Sequence, residues 1–119
     1  MDISDVLTRL RTFADERDWQ QFHTPRNLTL ALVGEVGELA ELVQWRTDDD
    51  VIALARTEAG HEALADELAD VFTYLVELAD TLGIDLDRAV HAKIAKNAVK
   101  YPVELARGSN AKYTELGTP

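Results

Sequence analysis

There is no cysteine among the 119 residues, which excludes disulfides, thiolate metal sites and a cysteine nucleophile. Long apolar runs are missing too: no stretch approaches the roughly 18–20 apolar residues that a membrane span needs. Basic residues are scarce, with 12 Lys and Arg against 22 Asp and Glu for a net charge of −10. Such a surface repels polyphosphate at long range, which argues against generic nucleic-acid binding. A phosphate-bearing ligand would have to bring a cation with it, and a divalent metal is the usual one. The first residues, Met1-Asp2-Ile3-Ser4-Asp5, are acidic and lack the apolar block of a secretory signal. A cytoplasmic protein that engages neither membrane nor nucleic acid is therefore expected. Internal repeats, low-complexity segments and alternating strand patterns are also absent.

What is present is helical periodicity in a single domain spanning 1–119. Ile3, Val6, Leu7, Leu10 and Phe13 recur at helical spacing, so a first helix is predicted over about 3–17, with Asp2 or Ser4 as its cap. An aromatic-rich loop, Asp18-Trp19-Gln20-Gln21-Phe22-His23, follows. Thr24-Pro25 reads as an N-cap with proline in the first turn, opening a second helix that runs to about Trp45. Thr47-Asp48-Asp49-Asp50 is a polar break that also suits the start of a short helix, and 51–60 is a weak helical stretch ending near Gly60. A third long helix is predicted over about 61–82, terminated by Gly83. Asp85 caps a fourth, which fades at Tyr101-Pro102. From Gly108 to 119 the chain is polar and reads as a mobile or partner-docked tail. The fold class is all-α, a four-helix-bundle-type architecture with the second and third long helices at its centre. Leu28, Leu30, Ala31, Leu32, Val33, Val36, Leu39, Ala40, Leu42 and Val43 cover most of the second helix's circumference. A helix apolar nearly all round is buried on several sides, and so short a chain has too few helices to surround two of them. An oligomer of identical chains is expected.

Against that apolar background Glu35 and Glu38 stand three residues apart on one helical face, and Glu67 and Asp70 repeat the spacing. Like charges on one face repel, and a buried carboxylate is unfavourable unless something compensates it. Two such pairs on the central helices of a bundle are placed to converge on a hard divalent ion, Mg²⁺ or Mn²⁺. Glu-x-x-Glu is also a common pattern of solvated helix faces, so spacing alone does not decide between the two. The neighbours favour a site. Trp45 lies seven residues after Glu38, and Tyr74 lies four after Asp70, so each acidic pair is continued by an aromatic ring. That pattern suits a ligand with phosphates at one end and a flat base at the other. Lys93, Asn97 and Tyr101 form an i, i+4, i+8 stripe of a cation, an amide and a phenol, suited to phosphate or sugar oxygens. Trp19, Gln20, Gln21, Phe22 and His23 offer rings and amides that pack either on the core or against a nucleobase.

The run Arg17-Asp18-Trp19-Gln20-Gln21-Phe22-His23, then Pro25-Arg26-Asn27-Leu28, then Leu30 to Leu42 with its Gly34-Glu35-Val36-Gly37-Glu38 centre, resembles the MazG-like all-α NTP pyrophosphatase superfamily, and within it the dCTP-directed members. Glu67-Leu68-Ala69-Asp70-Val71, Tyr74-Leu75-Val76, Lys93, Asn97, Lys100-Tyr101-Pro102 and Lys112 to Leu116 continue the likeness over about residues 5–116. The resemblance implies a MazG-like fold assembled as a homotetramer. It also implies Mg²⁺ held by Glu35, Glu38, Glu67 and Asp70, and a nucleotide pocket lined by Trp19 to His23, Trp45 and Tyr74. Lys93, Asn97 and Tyr101 would approach the phosphates or sugar. The implied reaction is dCTP + H₂O to dCMP and pyrophosphate, a cleansing of the nucleotide pool that could extend to modified cytosines. Water attacks in line beside the metal, with Glu35 or Glu38 as base. One departure concerns the segment before Trp19, where a base contact is expected and this chain offers Leu10. Mammalian-type members also carry additional N-terminal residues. A broad-specificity or dUTP-directed NTP pyrophosphohydrolase and a non-catalytic helical interaction module are the alternatives. A di-iron carboxylate protein would need two Glu-x-x-His motifs, and the chain has one, Glu58-Ala59-Gly60-His61.

Overall fold

A computed structural model describes residues 1–117, and every regular element among them is helical. The chain forms two compact units, Met1–Ile84 and Asp85–Pro119. In the first, α1 spans Ile3–Glu16, α2 Pro25–Val43, α3 Asp48–Arg56 and α4 Glu58–Thr81, with a short 3-10 turn at Gln20–Phe22. In the second, α5 spans Leu86–Lys100 and α6 Val103–Ala106, followed by a 3-10 turn at Tyr113–Glu115. Among the described residues, no helix is long and apolar enough to cross a membrane.

Side-chain caps set the helix starts. Asp2 accepts from the backbone N–H of Ser4 at 2.9 Å, Thr24 from Asn27 at 3.2 Å, Thr47 from Asp50 at 3.2 Å and Asp85 from Arg88 at 3.1 Å. Thr57 does the same for Gly60 at 3.0 Å, so α4 begins at Glu58 rather than 61. Gly60, expected to end a weak helix, instead lies buried in the first turn of α4. A Cβ there would collide with the Leu54 carbonyl oxygen and approach Thr57 Oγ1 at 2.6 Å and Leu54 Cδ1 at 2.7 Å. The glycine is needed because α3 and α4 meet at a corner with no room for a side chain.

Two helix ends share one device. After α4 the Gly83 N–H donates to Asp80 O at 3.1 Å and the Ile84 N–H to Ala79 O at 2.8 Å, with Gly83 at φ 67°. This is the Schellman arrangement, in which a left-handed residue satisfies the last carbonyls. After α1 the Asp18 N–H donates to Asp15 O and the Trp19 N–H to Ala14 O, with Asp18 itself at φ 54°. The second helix ends two residues earlier than expected. Val43, Gln44, Trp45 and Arg46 form a turn closed by the Arg46 N–H on Val43 O at 3.2 Å, and Trp45 sits at φ 67°. Gln44 at φ −59° and ψ 147° makes this a type II turn, whose third position ordinarily takes glycine.

In the first unit α4 packs against α1, α2 and α3, most extensively against α2. Its buried centre is small: Ala14, Leu28, Gly60, Val76 and Ala79. Arg11 on α1 forms a two-pronged ion pair with Asp80 on α4, its Nε donating to Oδ2 at 3.1 Å. Leu30, Val33 and Val36 on α2, and Leu68 and Leu75 on α4, are exposed, so both helices carry the surplus apolar surface read from the sequence. In the second unit the tail is not featureless. The Tyr113 ring meets Tyr101 edge to face at 6.1 Å, and Lys100 Nζ lies 4.9 Å from its centroid. The last two residues of the expected tail, 118 and 119, lie outside the described residues.

The tight corner yields a stability prediction. Gly60→Ala is expected to destabilise the protein by about 2 kcal/mol or more, because the clash includes backbone. Gly83→Ala, with open space but a left-handed backbone, should lose only about 1 kcal/mol. Thermal melts of the two variants beside the parent protein would check the order.

Candidate metal and nucleotide site

Helix α2 holds Glu35 and Glu38 on one face, and α4 holds Glu67 and Asp70. Because these helices pack together, one carboxylate oxygen each from Glu35, Glu38 and Glu67 falls within 4.8 Å of the other two. An octahedral Mg²⁺ with oxygens at about 2.1 Å spans about 4.2 Å between opposite ligands, close to the opening these three already leave. Asp70 lies outside that trio and is exposed, but its charge bears on Glu35. Among the described residues no other group of three or more acids, histidines or cysteines is so disposed. Glu58 and His61 are exposed and form no part of it.

Two oxygens of the trio, Glu35 Oε2 and Glu67 Oε2, are shielded from solvent and have no hydrogen-bond partner. Buried, unpaired carboxylate oxygens are rare because desolvation goes unrecovered. A hard cation supplies what they lack, so the donor set suits Mg²⁺ or a similar ion. Without one, protons take its place. Burial, then the charges of Glu38 and Asp70, push the Glu35 carboxyl up to about 7. Burial, then Glu38, raises Glu67.

The acidic face continues along α4. Tyr74, half-buried, has its phenol pKa raised by burial and then by the charges of Glu35, Glu77, Asp70 and Glu38. Glu77 extends the same stripe and was not singled out by the sequence reading. Its i+3 spacing from Tyr74 and i+7 spacing from Asp70 made it visible there.

The aromatic loop is a folded turn. The left-handed Asp18 sends the chain back over α1, so Trp19 meets Phe13 edge to face at 5.7 Å. Gln21 Nε2 donates to Asp18 O at 3.0 Å and Oδ2 at 3.1 Å, and Asn27 Nδ2 donates to Phe22 O at 3.0 Å. His23 is half-buried with its ring 6.4 Å from Trp19, while Trp19, Gln20 and Phe22 remain exposed. The rings therefore only partly pack on the core.

Trp45 departs from its expected position. Because α2 ends at Val43, it does not continue the Glu35–Glu38 stripe; it projects from the type II turn, 96% exposed. Lys93, Asn97 and Tyr101 belong to the second unit and are all exposed. Tyr101 is the residue after α5, its N–H on Asn97 O at 2.9 Å, because Pro102 pulls its backbone out of helical geometry.

The raised carboxyls set a pH dependence. Glu35 titrates at about 7 in the metal-free fold against an ordinary value of 4.5. A raised folded value contributes stability that is complete below 4.5 and is lost as pH rises through about 7. The metal-free protein should therefore melt at progressively lower temperature from about pH 4.5 to about 7. Glu35→Gln should flatten that slope, and millimolar Mg²⁺ at neutral pH should raise the melting temperature of the parent far more than that of the variant.

The MazG-like family model matches residues 31–116. The chain is 53% identical over 114 residues to dCTP pyrophosphatase 1 of Rattus norvegicus, covering 96% of this chain and 67% of that protein. It is 52% identical to dCTP pyrophosphatase 1 of Homo sapiens over the same length and shares. Among solved structures it is similar to a pyrophosphatase from Archaeoglobus fulgidus, with a TM-score of 0.76 and 39% identity, covering 83% of this chain and 91% of that one. On the family match and these identities together, the chain belongs to the MazG-like family.

Proposed function

We propose that this protein is a nucleoside triphosphate diphosphatase that converts dCTP and water to dCMP and pyrophosphate, using Mg²⁺. The observation that carries the chemistry is the convergence of Glu35, Glu38 and Glu67 across α2 and α4, with two oxygens buried and unpartnered. The choice of dCTP is supported by the relatives' names, dCTP pyrophosphatase 1, at about half the residues identical. Mg²⁺, held by the trio with Asp70 beside it, would neutralise the triphosphate and make the attacked phosphorus more electrophilic. It also offsets the net charge of −10 that would otherwise repel the substrate.

The chain's own residues do the rest. Glu38, the exposed member of the trio, faces solvent and is the better placed of the two candidate bases to orient and deprotonate an attacking water, while Glu35 is held more deeply. Trp19, Gln20, Gln21, Phe22 and His23 form one wall for the base, with Tyr74 beside the acids. Trp45 adds a ring from its turn. Lys93, Asn97 and Tyr101 supply a cation and two hydrogen-bonding groups for phosphate and sugar. The whole chain acts as one functional domain in the cytoplasm, assembled as a homotetramer. The exposed Leu30, Val33, Val36, Leu68 and Leu75 support the assembly, since so much apolar surface on two central helices ordinarily marks an interface.

Pyrophosphate release from each common NTP and dNTP, with Mg²⁺ and then with EDTA, tests the reading. Mg²⁺-dependent release from dCTP well above the others is the expected result; none from any nucleotide would remove the enzymatic assignment. Glu38→Gln should lower kcat by at least about a hundredfold while the fold survives. Trp45→Gly separates stability from function. It relieves a left-handed backbone and should stabilise the protein by about 1 kcal/mol, while raising KM for dCTP.

A further inference from the structure

Behind the aromatic loop lies a pocket of about 20 Å³, lined by Leu7, Leu10 and Ala14 on α1, by Gln20 and His23, and by Glu77 with its neighbours on α4. It is separate from the acid trio. Arg11 and Asp80 also border it, but each is committed to the other through their two-pronged ion pair. Glu77 is half-buried and takes part in no ion pair among the described residues. Burial raises its carboxyl pKa and the neighbouring His23 opposes the rise, in keeping with the two lining one pocket. The pocket that both side chains line has room for about one water, enough for a bridged hydrogen bond.

His23 in turn meets the ring of Trp19 edge to face at 6.4 Å, and Trp19 leans on Phe13 at 5.7 Å. A line of neighbours thus runs from Glu77 on α4 across the pocket to His23, and by ring contact from His23 to Trp19 and to Phe13 on α1. Trp19 is otherwise poorly restrained: it is 43% exposed and its backbone leaves a left-handed residue.

We propose that Glu77 is a positioning residue which, through His23, holds the Trp19 ring at the angle in which it receives the nucleobase. This rests on the nucleotide-hydrolase reading above for the identity of what Trp19 receives, though not for the restraint itself. The effect is on binding rather than on chemistry, because Glu77 lies ten residues, nearly three helical turns, beyond Glu67 on α4. A ring free to swing must be ordered on each binding event, which weakens affinity without altering the bond-breaking step.

The test combines kinetics with fluorescence. Glu77→Ala should raise KM for dCTP about tenfold, the effect of losing one such restraint, with kcat within about twofold and the Mg²⁺ half-saturation unchanged. In a Trp45→Phe background Trp19 is the sole tryptophan, and Glu77→Ala should raise its quenching by acrylamide. Glu77→Gln, which keeps the shape and hydrogen-bonding groups, should recover most of both readouts. If the alanine variant does not fold, Glu77→Leu, which keeps the bulk but cannot hydrogen-bond toward His23, carries both readouts with the same expected changes. Unchanged KM together with unchanged quenching would overturn the proposal, as would a fall in kcat at constant KM, which would put Glu77 in the chemical step. If the parent protein hydrolyses no nucleotide, the functional reading fails while the quenching comparison still decides whether Glu77 restrains the ring.

Discussion

The contact between α2 and α4 is the constraint on which the rest depends. It brings Glu35 and Glu38 against Glu67, a clustering of like charge that apolar packing must hold together. That packing is thin in the first unit, where Ala14, Leu28, Val76 and Ala79 are the fully buried apolar residues. The acids are close enough to raise one another's pKa values, and a divalent ion held there would convert the repulsion into a bond between helices. Metal binding there would be linked to the stability of this helix pair for that reason.

Backbone strain gathers at chain reversals rather than in the core. Asp18 and Trp45 are non-glycine residues with left-handed backbone, each at a sharp reversal; the first precedes Trp19, and the second is itself an aromatic residue with a proposed role. Such conformations are unfavourable by about 1–3 kcal/mol. At Asp18 the reversal is offset by the two backbone hydrogen bonds of the helix end and by Gln21 on its side chain. At Trp45 the compensation is a single turn hydrogen bond, and the ring itself packs on almost nothing. The chain thus carries there a residue that its own backbone does not favour.

Much of this was legible in the residues. The caps at Thr24 and Asp85, the termination at Gly83, the break at Tyr101-Pro102 and the two Glu-x-x-acid pairs follow from local rules that read a few neighbouring positions. The surplus apolar surface of the central helices was visible as well, because periodicity counts faces without needing to know what covers them. Boundaries that depend on a partner element were misplaced. Gly60 read as a terminator because glycine is a helix breaker in isolation, whereas the approach of Leu54 makes it the residue that lets α4 begin. Trp45 read as part of a stripe because nothing local forbids helix there; the type II turn that removes it closes the end of α2, two residues ahead of α3.

By itself, then, the sequence determined the helical class, the caps, and the presence of four acids and a set of rings at mutually compatible spacing. Those properties depend on residues within a turn or two of each other. Tertiary structure decided which acids meet: three of the four converge, and Asp70 acts at one remove. It also decided that Glu77 and His23 share a pocket. Neither follows from spacing along one helix, because a carboxylate's neighbours across a helix pair are set by how the two helices pack, and that is a property of the folded core.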